Sequence, residues 1–278
     1  MLDLFISFFQ NPTAWGIGLA FLFGAVWFGV FAPPLRKLGP PAPATIAGLI
    51  LVFTTSAILT LAAVSFVQVP LQIWVGQALG HFWSQATLSR WILLAGIPQI
   101  LLSGLVQEAA KLVPPLAYMK WKRPKDAKAA LIIGAVAGVG FGIFEAQWAL
   151  NMIFTAGWTW GTVQIMGFQG LLGFWERFFA IAFHTAATSI SVYGLYKGRW
   201  WLFYLLAAVL HATVNYGVAL LVGGYLTAIQ MEIYVAIIAV TTVGIALWLR
   251  WRREPVELAA TVGGDVEGQT APSGDRML

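Results

Sequence analysis

Seven stretches of this chain are apolar over the length needed to cross a bilayer, which removes most of the architectures open to 278 residues. Hydrocarbon offers the backbone no water, so only helices and closed barrels satisfy every N–H and C=O there. A helical span takes about 20 apolar residues, and continuous rather than alternating hydrophobicity reads as helix. The runs fall at 15–32, 44–66, 91–118, 129–153, 171–196, 200–222 and 228–249. Hydrophobic residues are 59% of the chain and charged ones 10%; with a mean hydropathy of +0.80, this excludes an ordinary soluble domain. The expected fold class is all-α: a polytopic membrane protein with seven transmembrane helices.

Orientation follows from the basic residues. Arg36 and Lys37 follow the first span, Lys120, Lys122, Arg123, Lys125 and Lys128 the third, Lys197 and Arg199 the fifth, and Arg250, Arg252 and Arg253 the seventh. The connections between them are nearly free of Lys and Arg, so the positive-inside rule predicts an outside N-terminus and a cytoplasmic C-terminus. No basic residue precedes the first span and no small-residue cleavage site leads to a soluble domain, so that span reads as retained. Residues 69–83 are apolar but short and carry Gln72, Gln77 and His81, the pattern of an interfacial or re-entrant helix. The chain divides into one transmembrane domain, 1–253, with a polar core at 101–220, and a tail, 254–278, whose composition predicts cytoplasmic disorder. Internal repeats are not evident. The absence of Cys excludes disulfides, thiol nucleophiles and thiolate metal sites. A net charge of +5 accounted for by topology gives no reason to expect nucleic acid.

Against this background the ionisable residues inside the spans stand out. A carboxylate at the centre of a membrane helix costs roughly 2.5–3.5 kcal/mol on insertion scales, and such residues by default mark function. Glu108 and Lys111 are three apart in the third span, on one helix face. Glu145 follows Gly134, Gly138 and Gly142 in the fourth; at about 100° per residue it lies within about 20° of Gly134. Its carboxylate therefore projects from the stripe that small residues dedicate to close helix contact. His184 shares its face with Arg177, Ala180, Thr188 and Ser191, and His211 shares its face with Ala207 and Asn215. Measured from the cytoplasmic helix ends at 1.5 Å per residue, Glu108, Glu145, His184 and His211 lie roughly 15, 24, 18 and 17 Å deep, compatible with one mid-membrane cavity. Arg177 sits near the outer surface, where positioning a substrate and anchoring the helix are equally natural roles. The structural alternatives are interhelical packing for the Gly stripe, a neutralised pair for Glu108 and Lys111, and satisfied interhelical hydrogen bonds for the histidines.

A buried Glu can take a proton from water, a second Glu or an imidazole can return it to a leaving group, and imidazole and Asn donors can stabilise an oxyanion. That inventory suits hydrolysis of an amide within the membrane. The same residues would also suit a catalytic zinc held by His184, His211 and Glu145, although the His-Glu-x-x-His spacing is missing.

The ordered set Glu108-x-x-Lys111, Phe141-x-x-x-Glu145, His184 in the next span and His211-x-x-x-Asn215 in the one after resembles the four-motif signature of the CPBP/PrsW/YhfC superfamily of intramembrane proteases. Phe-x-x-x-Glu is similar to its PrsW and YhfC side, and the Glu-Arg pair at 176–177 to YhfC. Where the family's first motif commonly has paired glutamates, Gln107 precedes Glu108. The resemblance spans about Gly104 to Tyr216. It implies a glutamic-type endopeptidase of a prokaryotic plasma (inner) membrane, acting on a membrane protein or peptide with no cofactor. Glu108 would activate water, Glu145 would act as partner acid or base, Lys111 would tune Glu108, and His184, His211 and Asn215 would orient water or stabilise the oxyanion. The superfamily also has members considered non-proteolytic. Two other classes stay open: a proton-coupled transporter, in which the same residues relay protons, and a catalytically silent scaffold. Substrate identity and oligomeric state are not encoded in these motifs.

Overall fold

The computed structural model describes residues 1–31 and 43–252, so the expected disordered tail at 254–278 and the basic residues Arg36, Lys37 and Arg253 lie outside the described residues. The elements are α1 (Leu2–Ser7), α2 (Ala14–Phe31), α3 (Pro43–Ala63), α4 (Val69–Phe82), α5 (Gln85–Arg90), α6 (Ile92–Ala95), α7 (Ile97–Trp121), α8 (Ala127–Thr155), α9 (Trp160–Met166), α10 (Leu172–Tyr196), α11 (Trp200–Val222) and α12 (Ala228–Trp251). There is no strand among the described residues. Among the described residues, seven helical runs are long and apolar enough to cross a membrane, and the chain is an integral, all-α membrane protein. Their lipid-facing flanks carry exposed apolar side chains, such as Ile233, Ile237 and Val240 on α12. Water would penalise such a belt; hydrocarbon does not.

α8 is the hub, buried over most of its length and packed against α10, α2 and α3. Lipid tails are as apolar as side chains, so close backbone approach must supply what hydrophobicity cannot. The Gly stripe does this. A Cβ added at Gly134 would meet Thr188 O and Ser189 Cα, one at Gly138 would run into the His184 carbonyl, and one at Gly142 would meet Ile181 Cα, all on α10. Gly140, turned the other way, is pressed on the Phe53 carbonyl of α3. On α7, Gly104 meets the Ala208 carbonyl of α11. These contacts bring α7, α8, α10 and α11 close enough for their polar side chains to touch.

One expectation is corrected. Residues 69–83 do not form a separate interfacial or re-entrant piece: α3 passes through a π turn (Val64–Gln68) directly into α4, giving one helical run of 38 residues, Thr45–Phe82. Pro70 lies in the first turn of α4, where its missing N–H falls next to the already altered π bonding. At 1.5 Å per residue this run is about 57 Å long, nearly twice the hydrocarbon thickness. The third span is also modified, with α6 and α7 meeting at Gly96.

Candidate active site

Six of the seven residues singled out by sequence fall into a single chain of side-chain contacts crossing four helices. Lys111 Nζ lies 2.5 Å from Glu108 Oε1 on α7, and both side chains are fully buried. The same oxygen meets His211 Nδ1 of α11 at 2.7 Å. Lys111 Nζ also reaches His184 Nδ1 of α10 at 3.0 Å, and His184 Nε2 is 3.1 Å from Glu145 Oε2 of α8. Arg177 approaches that oxygen at 3.4 Å through Nη1, while its Nη2 is paired with Glu176. The order is His211, Glu108, Lys111, His184, Glu145, Arg177, Glu176. Asn215, the seventh residue, stands outside this chain and gives its Nδ2 to Ser103 Oγ at 2.7 Å.

Hydrogen-bond logic assigns the proton positions. An ammonium only donates, so Lys111 makes His184 Nδ1 an acceptor, and the ring proton sits on Nε2, facing Glu145. An ionised Glu108 only accepts, so His211 carries its proton on Nδ1 and presents Nε2 as a lone pair. Each tautomer is thus set by the partner of the opposite nitrogen. Aromatic edges hold both rings: Phe183 stands 5.5 Å from His184 and from His211, centroid to centroid, and Phe141 lies 4.9 Å from His184. Lys111 Nζ is 5.2 Å from the Phe141 ring centroid, which gives the motif Phe a direct role in seating the buried cation.

A cavity of about 110 Å³ opens beside this chain, with Gln107, Glu145, Arg177, His184, His211 and Asn215 on its wall. It is large enough for a few waters. Glu108 and Lys111 are fully buried and not on the wall; their partners His211 and His184 are. This placement shifts the role open to Glu108. Its link to the cavity runs through the hydrogen bond to His211, which is on the wall.

The sequence predicts no cofactor but leaves a zinc held by His184, His211 and Glu145 open. Among the described residues, the group whose ligand atoms all lie within 4.8 Å of one another is instead Glu108, His184 and His211, and these three could hold a metal ion. Glu108 Oε2, buried and without a hydrogen-bond partner, is a free oxygen for such an ion. The Lys111 ammonium is the countervailing feature. It already bridges Glu108 and His184 at 2.5 and 3.0 Å, so an ion there would have to displace it or meet its charge.

Three polar residues near the cavity have no role that the sequence assigns them. Gln107, a departure from the motif in the sequence, lies on the wall. Gln68 bonds to it from the π turn, Gln107 Nε2 to Gln68 Oε1 at 3.0 Å. Glu232 of α12 is buried and its Oε2 has no partner, while the Trp175 indole donates to its backbone carbonyl at 3.2 Å. A carboxylate in an apolar span was the available signal for Glu232. For Gln68 there was none, since its place depends on a π turn. No family model, curated protein or solved structure matches the chain.

Proposed function

We propose that this protein is an intramembrane endopeptidase that hydrolyses a peptide bond of a membrane-embedded substrate, with its N-terminus outside and C-terminus cytoplasmic, in a prokaryotic plasma membrane. The observation that carries this reading is the His211–Glu108 hydrogen bond at 2.7 Å, backing a ring whose other nitrogen faces a cavity of water size. His211 Nε2 takes a proton from water, the resulting hydroxide oxygen bonds to the substrate carbonyl carbon, and Nε2 then returns the proton to the departing amine nitrogen as the C–N bond breaks. Glu108 holds Nδ1–H throughout and offsets the transient imidazolium charge. Arg177, on the cavity wall and held by Glu145 and Glu176, supplies the donor for the developing oxyanion, whereas His184 Nε2–H is taken up by Glu145. The motif resemblance supports the same class of reaction.

The test is cleavage of a fluorogenic membrane-spanning peptide by the purified full chain in micelles. His211→Ala, Glu108→Gln and Glu145→Gln are each expected to lower the rate at least about a hundredfold, the usual contribution of a general base or of the group that orients it. Wild-type rates in both Glu variants would sink the proposal.

Zinc loading separates a metal mechanism from this one. Dialysed against zinc, wild-type protein is expected to bind much less than about one ion per chain, whereas Lys111→Met, with the competing cation gone, binds close to one. Stoichiometric zinc in wild type, lost in His184→Ala and His211→Ala, would transfer the role of water activation to the metal.

The unbroken run of seven ionisable side chains, from His211 to Glu176, favours a second reading, proton-coupled transport. A pH-dependent flux in proteoliposomes, lost in the same Glu variants and unaccompanied by cleavage, would establish it instead.

A further inference from the structure

Two amide side chains on the cavity wall are turned the same way round, each by a hydrogen-bond chain that ends on a backbone carbonyl. The Gln99 carbonyl can only accept, so Gln72 presents its Nε2, at 2.8 Å. Gln72 Oε1 is then left to accept from Gln68 Nε2, at 3.4 Å. Gln68 Oε1 in turn accepts from Gln107 Nε2, at 3.0 Å. Reversing any amide would set oxygen against oxygen, so every link fixes the next. The series terminates at Gln107 Oε1, which is buried and has no hydrogen-bond partner.

Asn215 repeats the arrangement over a shorter path. The Ser103 hydroxyl donates to the Ile100 carbonyl at 2.7 Å and therefore accepts from Asn215 Nδ2, also at 2.7 Å. Asn215 Oδ1 takes no hydrogen bond among the described residues. With His211 Nε2 also a lone pair, the α7–α11 side of the cavity is rich in acceptors. Burying an oxygen such as Gln107 Oε1 unpaired is costly, and here a π turn is what carries Gln68 to the place from which it aims Gln107. π turns of this kind are frequent at functional sites.

We propose that Gln107 Oε1, together with Asn215 Oδ1, receives backbone N–H groups of a locally unwound substrate segment, an assignment that rests on the peptide-cleaving reading above. A substrate helix uses its own N–H groups internally; an extended segment in the membrane arrives with N–H groups that need partners. The wall supplies acceptors that match. Gln107 is a substrate-binding residue, and Gln68 positions it.

The experiment uses a synthetic Leu- and Ala-rich peptide of about 20 residues with a Gly-rich centre, in micelles, and a series in which each central amide nitrogen is methylated singly. Affinity for the full-length wild-type protein and for Gln107→Leu is measured by fluorescence, and products are followed in the same samples. One methylation is expected to weaken wild-type binding about tenfold and to cost Gln107→Leu less than about twofold, the range for a lost partner to a buried acceptor. Gln68→Leu, which leaves Gln107 in place without its orienting contact, shows the same flattening and serves if Gln107→Leu does not fold. A flat profile in wild type, the result if water alone satisfies Gln107, overturns the proposal. So does a profile unchanged in the Gln107→Leu and Gln68→Leu variants, or a peptide that does not bind. Binding with the expected profile but without cleavage keeps this proposal and removes the peptidase, whereas cleavage with a flat profile does the reverse.

Discussion

Lys111→Met is expected to destabilise the folded protein by about 3–5 kcal/mol, the range for removing one partner of a buried ion pair. The lysine and Glu108 are both fully buried at 2.5 Å, so the substitution leaves a carboxylate with only the His211 Nδ1–H against it. Neither side chain of the pair is open to solvent, and the ring of Phe141 on α8 lies 5.2 Å from Nζ, so bulk water does not replace the lost charge. The double variant Glu108→Gln/Lys111→Met removes both charges and should recover much of the loss, since a buried pair is weak evidence of net stability and a broken one is a liability. Unfolding by SDS titration in micelles reads both. A double variant as unstable as the sum of the singles would show that packing, not charge, holds this part of α7.

Gly138→Leu should abolish activity by a different route. A Cβ here would collide with the backbone carbonyl of His184, and backbone cannot swing aside as a side-chain tip can. α8 and α10 would have to separate, taking His184 away from Glu145 and Lys111 together. Overpacking of this kind costs typically about 1–3 kcal/mol and occasionally more, and cleavage should be lost even where the protein still folds. Gly142→Ala, whose nearest obstacle is Ile181 Cα at 3.1 Å, is expected to be milder. Gly244→Ala, with nothing within 4 Å of the new atom, should be neutral or stabilising by up to about 1 kcal/mol from helix propensity. Loss of activity at Gly244 equal to that at Gly138 would remove the packing argument.

The span count and polar set were legible in the chain because both are local properties. Hydropathy reports seven runs without reference to any partner, and Glu108, Glu145, His184 and His211 each violate the hydropathy of their own helix. The stripe of Gly134, Gly138 and Gly142 was legible for a similar reason, being a periodicity within one helix. Pairings were not. Nothing in the spacing says that Glu108 Oε1 is shared by Lys111 and His211, or that the histidines line the cavity while Glu108 does not, because those facts depend on how four helices are rotated against one another. The π turn had no signature either, and with it the continuity of α3 and α4 and the path from Gln99 to Gln107 stayed hidden.

The site's contacts also impose a timetable on biogenesis. Glu108 and Lys111 neutralise each other within α7 as soon as that helix forms, since they are an i,i+3 pair. Glu145 enters with α8, but its partners Arg177 and His184 come 32 and 39 residues later, on α10. Until α10 is delivered, a half-assembled bundle holds one carboxylate in the bilayer with no counter-charge. A nascent chain stalled between these helices should therefore stay in contact with the insertion machinery, and be released into lipid only once α10 has docked along the glycines of α8.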